Sequence, residues 1–403
     1  MPNIPAHIIQ ARQEVGQKIA AEKLPSWAAC PTIQYPVRLS MEQCSSEYTA
    51  RYKASLVKGE TLVDLTGGLG VDCSFLSESF THTTYVEQQS ALCQLAQHNF
   101  ACLGKKITVV NALCEDYVDS MEPVDVIFID PARRDNKGGK VVLLADCTPN
   151  LLDMGNKLLQ KCQTLLVKLS PMIDIESVIK AFPTTQEVHI VAVNNECKEV
   201  LVRVKGDLIV EKGERRISVQ GEREARIKEK GEIDIICANL PQQGQPFVFT
   251  RKAEEACSIA YSLPQTYLYE PNAAILKAGA FKQVAQQMGV HKLHPNSHLY
   301  TSDTLVSHFP GRIFTIDRIT KVQKKEINDI EKANVSIRNF PGSVADLRKK
   351  LKLKDGGDTY IFATTLHDNS KALIVCNKWT NPTLDPWLYS GFALMKLLSL
   401  GND

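Results

Sequence analysis

Short apolar runs alternate with amphipathic stretches between residues 59 and 206. The runs are rich in β-branched residues and apolar on both faces, as in the strands of a covered parallel sheet. They predict strands at 61–66, 81–87, 106–111, 124–130 and 164–170. The stretches between them predict helices at 71–79, 90–103, 114–120 and 142–162. Strands that alternate with helices in this way predict a doubly wound, mostly parallel α/β sheet.

The pattern changes on both sides of this region. After a helix predicted at 174–182, two strand-like runs at 187–193 and 199–205 are separated only by NNECK. This is hairpin spacing, so the sheet is predicted to end in an antiparallel hairpin. The first fifty residues look helical and amphipathic, and prolines break them into short pieces.

The C-terminal half predicts a smaller unit. Residues 206–245 are charged and contain glycines, which favours a solvated hairpin or connector, and residues 251–289 look helical. A compact β-α-β-β unit is predicted at 334–340, 343–351, 358–366 and 371–377. We therefore expect a helical segment at 1–58, an α/β domain at 59–206, a connector and accessory region at 207–325, and a small α+β domain at 326–403.

Composition and charge change this picture little. Apolar residues make up 44% and charged residues 23% of the chain, ordinary values for a soluble globular protein. The formal net charge is +2, so any nucleic-acid surface has to be a local basic patch. The apolar runs are too short to span a membrane, and the start of the chain lacks the order of a signal peptide, so a cytoplasmic protein is expected. The 12 cysteines include no CxxC pair, which favours reduced core residues over a metal site.

A glycine-rich turn, DLTGGLGVD, follows the first predicted strand at residues 64–72. Glycines at 67, 68 and 70 let the backbone turn sharply and let a ligand lie against it. Glu87 ends the second predicted strand, where a carboxylate can accept both hydrogen bonds of a ribose diol. The sequence therefore predicts a ligand that contains adenosine.

Two classes of ligand use such a turn. A dinucleotide needs a small third residue and a helix N-terminus that attracts its pyrophosphate, but Cys73 and the negative charge of Asp72 stand there. S-adenosyl-L-methionine has no phosphate and carries a sulfonium and an ammonium, which suit an acidic turn in which Asp64 faces the ammonium. Asp72 is also a good cap for the following helix, and the two roles are compatible.

The turn resembles the first motif of the class I S-adenosylmethionine-dependent methyltransferases, and especially that of the ribosomal small-subunit guanine-N2 methyltransferases. The resemblance covers Leu62 to about Lys205, roughly a third of the chain, and implies a Rossmann-like domain. It implies that the cofactor is bound by Asp64, Thr66, Gly67, Gly68, Gly70, Asp72, Glu87 and Asp130.

The segments beside this motif complete the expected cofactor site. The family often has Gly-Asp after the third strand to bind adenine, whereas Asn111-Ala112-Leu113 stands here. Adenine contacts are therefore expected from the backbone at Ala112 and Leu113, or from Glu115 or Asp116. Upstream, SMEQCSSEYTARYKA (40–54) matches in position a segment that folds over the cofactor in several RNA methyltransferases, so Gln43, Ser45 and Ser46 are candidates for contact with the cofactor. A helix capped by Ser45 or Ser46 explains this sequence equally well.

The fourth predicted strand ends in IDPARRD, where these enzymes carry their catalytic loop. The resemblance implies that the Asp130 carboxylate holds the hydrogens of an exocyclic amine beside the methyl donor. Pro131 stiffens the turn by fixing φ. Related amino-methyltransferases usually have Asp/Asn-Pro-Pro-aromatic at this place, whereas Ala132 and Arg133 stand here. The stacking partner is therefore either absent or the Arg133 guanidinium, which can stack on a base or contact a phosphate.

The same loop also resembles that of the RNA uracil-C5 methyltransferases. Those enzymes need a cysteine nucleophile at the end of the next strand, where this chain has Leu169. Methyl transfer to nitrogen is therefore the preferred reaction, and Cys147 could act as a nucleophile only through a different geometry.

Residues 268–278, LYEPNAAILKA, resemble a stretch of bacterial methyltransferases that carry a THUMP-like C-terminal domain, and the β-α-β-β unit has the size of that domain. THUMP domains present RNA, so the resemblance implies an rRNA or tRNA substrate. The basic runs RKKLKLK (348–354) and KVQKK (321–325) are either a phosphate-binding patch or solvated faces.

The sequence thus predicts an S-adenosylmethionine-dependent methyltransferase that modifies a base nitrogen of structured RNA. Two alternatives stay open: a methyltransferase acting on a small molecule or a protein, and an RNA-binding protein with a vestigial methyltransferase fold.

Overall fold

The computed structural model of the protein describes residues 6–133, 144–208, 232–241 and 245–380. It divides into two compact units, Met1–Lys252 and Ala253–Asp403. Each unit has its own sheet and its own core. No helix in the described ranges is both long and apolar enough to cross a membrane.

The first unit is built on a large sheet. The strands of this unit, numbered in chain order, are β1 (Gly59–Asp64), β2 (Phe80–Glu87), β3 (Ile107–Asn111), β4 (Val124–Ile129), β5 (Ala132–Arg133), β6 (Cys147–Thr148), β7 (Cys162–Leu169), β8 (Thr185–Val193), β9 (Glu196–Lys205), β10 (Asp234–Leu240) and β11 (Phe247–Thr250). Within the described residues, nine of them form one sheet in the order β11-β10-β8-β9-β7-β4-β1-β2-β3. The short strands β5 and β6 pair with each other.

The sheet is mostly parallel. Strands β3, β2, β1, β4 and β7 are parallel neighbours, and β9 is antiparallel to both β7 and β8. Two strands that the sequence pattern did not predict extend the sheet: β10 is parallel to β8, and β11 is antiparallel at the edge. The predicted fold class, a Rossmann-like and mostly parallel sheet with an antiparallel hairpin, is confirmed.

Helices precede and separate these strands. They are α1 (Ala6–Lys23), α2 (Pro25–Ala28), α3 (Arg38–Gln43), α4 (Glu47–Ala54), α5 (Val71–Leu76), α6 (Ser90–Cys102), α7 (Cys114–Ser120), α8 (Leu151–Gln160) and α9 (Ile175–Ala181). The predicted helix at 142–162 was too long at its start: α8 begins only at Leu151. Pro149 removes a backbone donor and restricts the residue before it, and the Asn150 side chain then caps the helix by accepting a hydrogen bond from the Leu152 N–H at 3.0 Å.

The N-terminal helices pack onto the segment that follows β1. Trp27 of α2 is buried in a cluster with Leu69, Val71 and Phe75, which belong to the glycine turn and α5. Ala50 of α4 lies in the same cluster. The first helices therefore support the turn from outside the sheet.

The second unit has a separate sheet. Its strands are β12 (Tyr267–Pro271), β13 (His291–Lys292), β14 (Tyr300–Ser302), β15 (Gly311–Thr320), β16 (Asn334–Arg338), β17 (Thr359–Thr365) and β18 (Lys371–Lys378). Its helices are α10 (Arg251–Ala256, which crosses the boundary), α11 (Ala273–Ala278), α12 (Gln283–Met288) and α13 (Val344–Leu351). The described strands are ordered β13-β14-β12-β15-β18-β17-β16.

The predicted β-α-β-β unit is present as β16, α13, β17 and β18. The prediction of helix throughout 251–289 was wrong in the middle, because β12 lies between α10 and α11. Leu268 and Tyr269 are fully buried there, and β12 pairs antiparallel with both β14 and β15. Aromatic and branched residues favour a strand once neighbours on both sides supply the ladder.

We predict that Trp27→Ala destabilises the first unit by about 3–5 kcal/mol, because it removes a large buried side chain and leaves a cavity. The exposed Leu39 of α3 gives a control, since Leu39→Ala should change stability by no more than about 0.5 kcal/mol. Denaturant unfolding followed by far-ultraviolet circular dichroism measures both variants. Equal midpoints for the two would show that α2 does not support the turn.

Candidate cofactor site

A cavity of about 430 Å³ lies at the carboxyl ends of the parallel strands of the first unit. This is where an open α/β sheet binds its ligands, because the strand order reverses there. Most residues predicted to bind the cofactor are in its wall: Asp64, Thr66, Gly67, Gly68, Gly70, Asp72, Glu87, Leu113 and Asp130. Ala112 and Pro131 are not in the wall, and the side chain of Arg133 lies outside the described residues.

The glycine turn is shaped by its neighbours on β2 and α6. A Cβ on Gly67 would lie 2.1 Å from the Tyr85 ring, and one on Gly70 would lie 2.7 Å from the Phe100 ring. Gly70 also has a φ of +83°, which disfavours a side chain. The Tyr85 hydroxyl donates to the Gly68 carbonyl at 2.6 Å. The backbone of the turn is therefore held open toward the cavity.

Glu87 is fixed at the end of β2. Its carboxylate accepts hydrogen bonds from the backbone N–H of Gly68 at 3.1 Å and of Gln89 at 2.9 Å. These bonds hold both oxygens in place without using all of their lone pairs, so a ribose diol can still donate to them.

The segment after β3 lies over the same end of the cavity. The Ala112 N–H donates to the Glu87 carbonyl at 3.2 Å, so it serves the fold of this segment. Leu113 is 48% exposed and lines the cavity together with Cys114 and Glu115. The expected adenine contacts are therefore available from Leu113 and Glu115.

Asp64 is buried at the end of β1. Its Oδ1 accepts a hydrogen bond from the Thr66 N–H at 3.1 Å. Burial raises the pKa of this carboxyl well above its usual value, and the nearby carboxylates of Asp72 and Asp130 act in the same direction. A cation placed beside Asp64 would reverse that shift.

Asp72, in the first turn of α5, is tied to the N-terminal helices. Its Oδ2 accepts a hydrogen bond from the Ser45 hydroxyl at 2.8 Å, and its Oδ1 lies 3.2 Å from the Lys53 Nζ. Burial alone would raise the pKa of Asp72, but the ammonium groups of Lys53 and Lys168 outweigh it and hold the pKa below its usual value. Asp72 is therefore an anion.

The candidates upstream of β1 divide between two roles. Gln43 and Ser45 line the cavity, so both remain candidates for ligand contact. Ser46 caps α4 by accepting a hydrogen bond from the Thr49 N–H at 3.3 Å. The structure therefore shows the helix cap at Ser46, and contact of Gln43 and Ser45 with the cofactor stays a prediction.

Two buried lysines were not predicted from the sequence. Lys53 of α4 contacts both oxygens of Glu199 on β9, at 2.7 and 2.8 Å. Lys168, near the end of β7, donates to the Oδ2 of Asp130 at 2.5 Å and lies 3.5 Å from the Oδ2 of Asp72. Burial alone would lower the pKa of Lys168, but Asp130 and Asp72 hold it well above its usual value, so the side chain is a cation.

The side chains at this end of the cavity include more carboxyl groups than cations. Asp64, Asp72 and Asp130 line the wall, and Lys168 is the one lysine among the described wall residues. In the described part of the chain the nearby Lys53 is shared between Asp72 and Glu199, which lies outside this wall. An acidic end of this kind suits the ammonium and sulfonium of S-adenosylmethionine and disfavours a pyrophosphate. The residues present therefore fit the cofactor that the turn predicted.

Comparisons with known proteins agree with this fit. Residues 267–310 match the family described as a ferredoxin-like domain, and residues 311–378 match the family described as THUMP domain-like. Two proteins named as uncharacterized S-adenosylmethionine-dependent methyltransferases, from strains CDC 1551 / Oshkosh and ATCC 25618 / H37Rv of Mycobacterium tuberculosis, are each 23% identical over 322 residues. The match covers 78% of this chain and 80% of each relative. The fold, the site and these relatives define a class I S-adenosylmethionine-dependent methyltransferase with a THUMP-like C-terminal domain.

A crystal structure from Porphyromonas gingivalis W83, described as that of a methyltransferase, is 37% identical to this chain. The alignment covers 94% of this chain and 93% of that one, with a TM-score of 0.80. The chain belongs to the family of that protein.

We predict that Asp64→Asn weakens the binding of S-adenosylhomocysteine by about tenfold or more, because the ammonium of the ligand loses its anionic partner.

Asp64→Asn should also stabilise the folded protein. The difference in free energy of unfolding between this variant and wild type should grow with pH. The carboxyl of Asp64 has a raised pKa in the folded protein, so above about pH 4 the unfolded chain releases a proton that the folded chain still holds. Wild type therefore loses stability as the pH rises through the folded pKa.

Calorimetric titration and thermal unfolding from pH 4 to 8 measure both effects. An affinity equal to that of wild type would exclude Asp64 from the ammonium site, and an unchanged stability difference across the pH range would contradict the raised pKa.

Proposed function

We propose that this methyltransferase modifies a base nitrogen in structured RNA, either rRNA or tRNA. The observation that carries the proposal is the position of Asp130 in the cavity wall, where Lys168 holds one of its oxygens. The side chain of Asp130 is 37% exposed, so the other oxygen can be reached by a second molecule.

Asp130 is held on three sides. Its backbone N–H donates to the Thr66 hydroxyl oxygen at 2.6 Å, Pro131 restricts the next residue, and Lys168 contacts Oδ2. Oδ1 accepts no hydrogen bond from the residues that the structure describes. It is free to accept a hydrogen of the acceptor amine and to direct the nitrogen lone pair into the cavity.

S-adenosylmethionine, when bound, would supply a methyl group from its positively charged sulfur, and breaking that C–S bond would release S-adenosylhomocysteine. The acceptor nitrogen would gain the methyl group and lose a proton, which Asp130 or water would accept. The Lys168 ammonium holds one oxygen of the Asp130 carboxylate, so the other oxygen has a fixed direction from which it can accept a hydrogen bond. Orientation of the amine, rather than strong base action, is the role assigned to Asp130.

The cysteines near the cavity argue against a covalent route to a ring carbon. Cys44 and Cys114 line the cavity, and burial raises the pKa of both thiols, to about 12 for Cys114. A thiol in that state is a poor nucleophile at neutral pH. Cys147 is buried on β6 and is not in the cavity wall.

The second unit supports an RNA acceptor. Residues 311–378 match a THUMP-like family, and THUMP domains present RNA to catalytic domains. Lys350 of α13 and Lys371 of β18 line one cavity of about 440 Å³, next to Phe340. Within the described ranges these lysines make no ion pair, so they can contact phosphates. In the same patch, Arg348 is paired with Asp355, and the Lys324 ammonium donates to backbone carbonyls.

RNA from a strain that lacks the protein tests the acceptor. Purified enzyme and S-adenosylmethionine labelled on the methyl group should transfer label to that RNA, and nucleoside mass spectrometry should find an N-methylated base that the strain has lost. RNA from the parent strain is the control and should accept little label. Label found only in protein or small molecules refutes the RNA acceptor, and no label in any fraction would indicate a vestigial fold.

We predict that Asp130→Ala lowers kcat on this RNA about 100-fold or more, because the amine loses its acceptor. Asp119→Ala removes an exposed carboxylate paired with Lys157 and should leave kcat unchanged. Initial-rate kinetics at saturating cofactor measure both variants. A kcat for Asp130→Ala within a few-fold of wild type would remove Asp130 from the reaction.

Lys168 is a positioning residue, and its loss should have a different signature. We predict that Lys168→Met lowers kcat by about 10- to 100-fold, because the Asp130 carboxylate loses the ammonium that holds its Oδ2 in place. Lys168→Arg keeps a cationic donor and should restore most of the activity. A kcat for Lys168→Arg as low as that of Lys168→Met would contradict this role, and so would a wild-type kcat for Lys168→Met.

A further inference from the structure

A second cavity of about 590 Å³ adjoins the cofactor cavity in the first unit. It lies between the N-terminal helices and the turn that joins β8 to β9. The two cavities share four wall residues: Gln43, Cys44, Ser45 and Lys168. Lys168 therefore stands at the junction of the two cavities, and its ammonium contacts Asp130 on the cofactor side.

We propose that this second cavity receives an unstacked RNA base, with the Tyr48 ring against its face and the Asn194 amide at its edge. The inference rests on the proposed function, because it assigns a binding place to the acceptor base. It also supplies the aromatic residue that the loop after β4 lacks, since Ala132 and Arg133 stand there.

Tyr48 has the properties of a stacking platform. It is 45% exposed although it belongs to the packed helix α4, and it lines the second cavity. Its hydroxyl makes no hydrogen bond to any residue that the structure describes. The helix around it is fixed by the Ser46 cap and by the buried Lys53, so the ring is presented from a rigid support. Aromatic rings of this kind stack on unpaired bases in RNA-binding proteins.

Asn194 is placed to contact the edge of a base. It is exposed in the tight turn between β8 and β9, with a φ of +50°, and it lines the cavity. Its backbone N–H donates a hydrogen bond to the Leu240 carbonyl at 2.8 Å, whereas its side-chain amide has no partner in the described ranges. An amide offers both a donor and an acceptor, which is the pairing that the edge of a nucleobase requires.

The charged residues of the cavity disfavour a phosphate as the occupant. The Lys23 ammonium donates to the carbonyls of Met41 and Glu42, at 3.0 and 2.6 Å, and Lys198 is paired with Glu196 at 2.7 Å. Lys168 is held by Asp130. Since the cations are already engaged with the protein, a neutral and planar group fits this cavity better than an anion does.

The junction gives the base a route to the reacting atoms. A base that lies on Tyr48 and reaches the wall at Lys168 brings its edge toward Asp130, the carboxylate assigned to the acceptor amine. Ser45, which also lines both cavities, donates a hydrogen bond to Asp72 and lies 3.2 Å from the Lys53 ammonium. The cofactor and the acceptor base would thus meet where the two cavities join at Lys168.

The test uses the full-length enzyme and RNA from the strain that lacks it. Tyr48→Ala should raise the KM for RNA about 5- to 100-fold, the range for loss of a stacked base, while Tyr48→Phe should stay within about twofold of wild type. Asn194→Gly, which suits a positive φ, should raise KM about 3- to 10-fold. Asn195→Gly is the matched control, because Asn195 is in the same turn with a φ of +65° but does not line the cavity.

Titration with S-adenosylhomocysteine shows whether each variant is folded and binds cofactor, and its affinity should be unchanged in all four. If wild type transfers no methyl group to RNA, the proposed function fails and this inference fails with it. If wild type methylates RNA but Tyr48→Ala keeps the wild-type KM, the proposed function stands and the base-binding cavity is refuted. An equal rise in KM for Asn194→Gly and Asn195→Gly would refute the contact at the edge of the base.

Discussion

The buried ammonium of Lys53 is the interaction on which the cofactor site depends. It contacts Glu199 on β9 and lies near Asp72 at the start of α5, so a single side chain from an N-terminal helix links the middle of the sheet to the glycine turn. Such a pair contributes little net stability by itself, yet removal of one partner typically costs about 3–5 kcal/mol, because the other is left buried and charged. The N-terminal helices are therefore part of the cofactor site as well as its cover.

The same network sets the chemistry of the cavity. With Lys53 engaged by Glu199, the second lysine, Lys168, is divided between Asp72 and Asp130, and Asp64 forms no ion pair with the residues that the structure describes. The result is an acidic end that suits a cationic cofactor, beside the carboxylate that we propose holds the acceptor. Burial gives these charges their strength, because the surrounding protein screens them less than water does. Under the proposed function, cofactor binding and reaction would depend on one set of ion pairs.

Most of the fold could be predicted because its strands and helices follow from local sequence patterns. The strands and helices of the parallel sheet follow from apolar periodicity, and α7 begins and ends where the pattern placed it. The wrong predictions have two causes. Pro149 prevents α8 from beginning before Asn150, and the strand character of β10, β11 and β12 depends on neighbours far away in the sequence. The glycine turn and Asp130 were found because they belong to a motif. Lys53 and Glu199 were not, because they are 146 positions apart and no local pattern joins them. Lys168 did give a signal, as a lone charge in an otherwise apolar strand.

The most direct test of the acidic end compares two ligands in calorimetric titrations of the wild-type protein. S-adenosylhomocysteine carries the amino-acid part that Asp64 is expected to contact, whereas 5′-methylthioadenosine has the same nucleoside without it. The account predicts one site, and an affinity for S-adenosylhomocysteine at least about tenfold above that for methylthioadenosine, as expected for hydrogen bonds to a charged group. Equal affinities would contradict it, because the ion network would then contribute nothing to holding the cofactor.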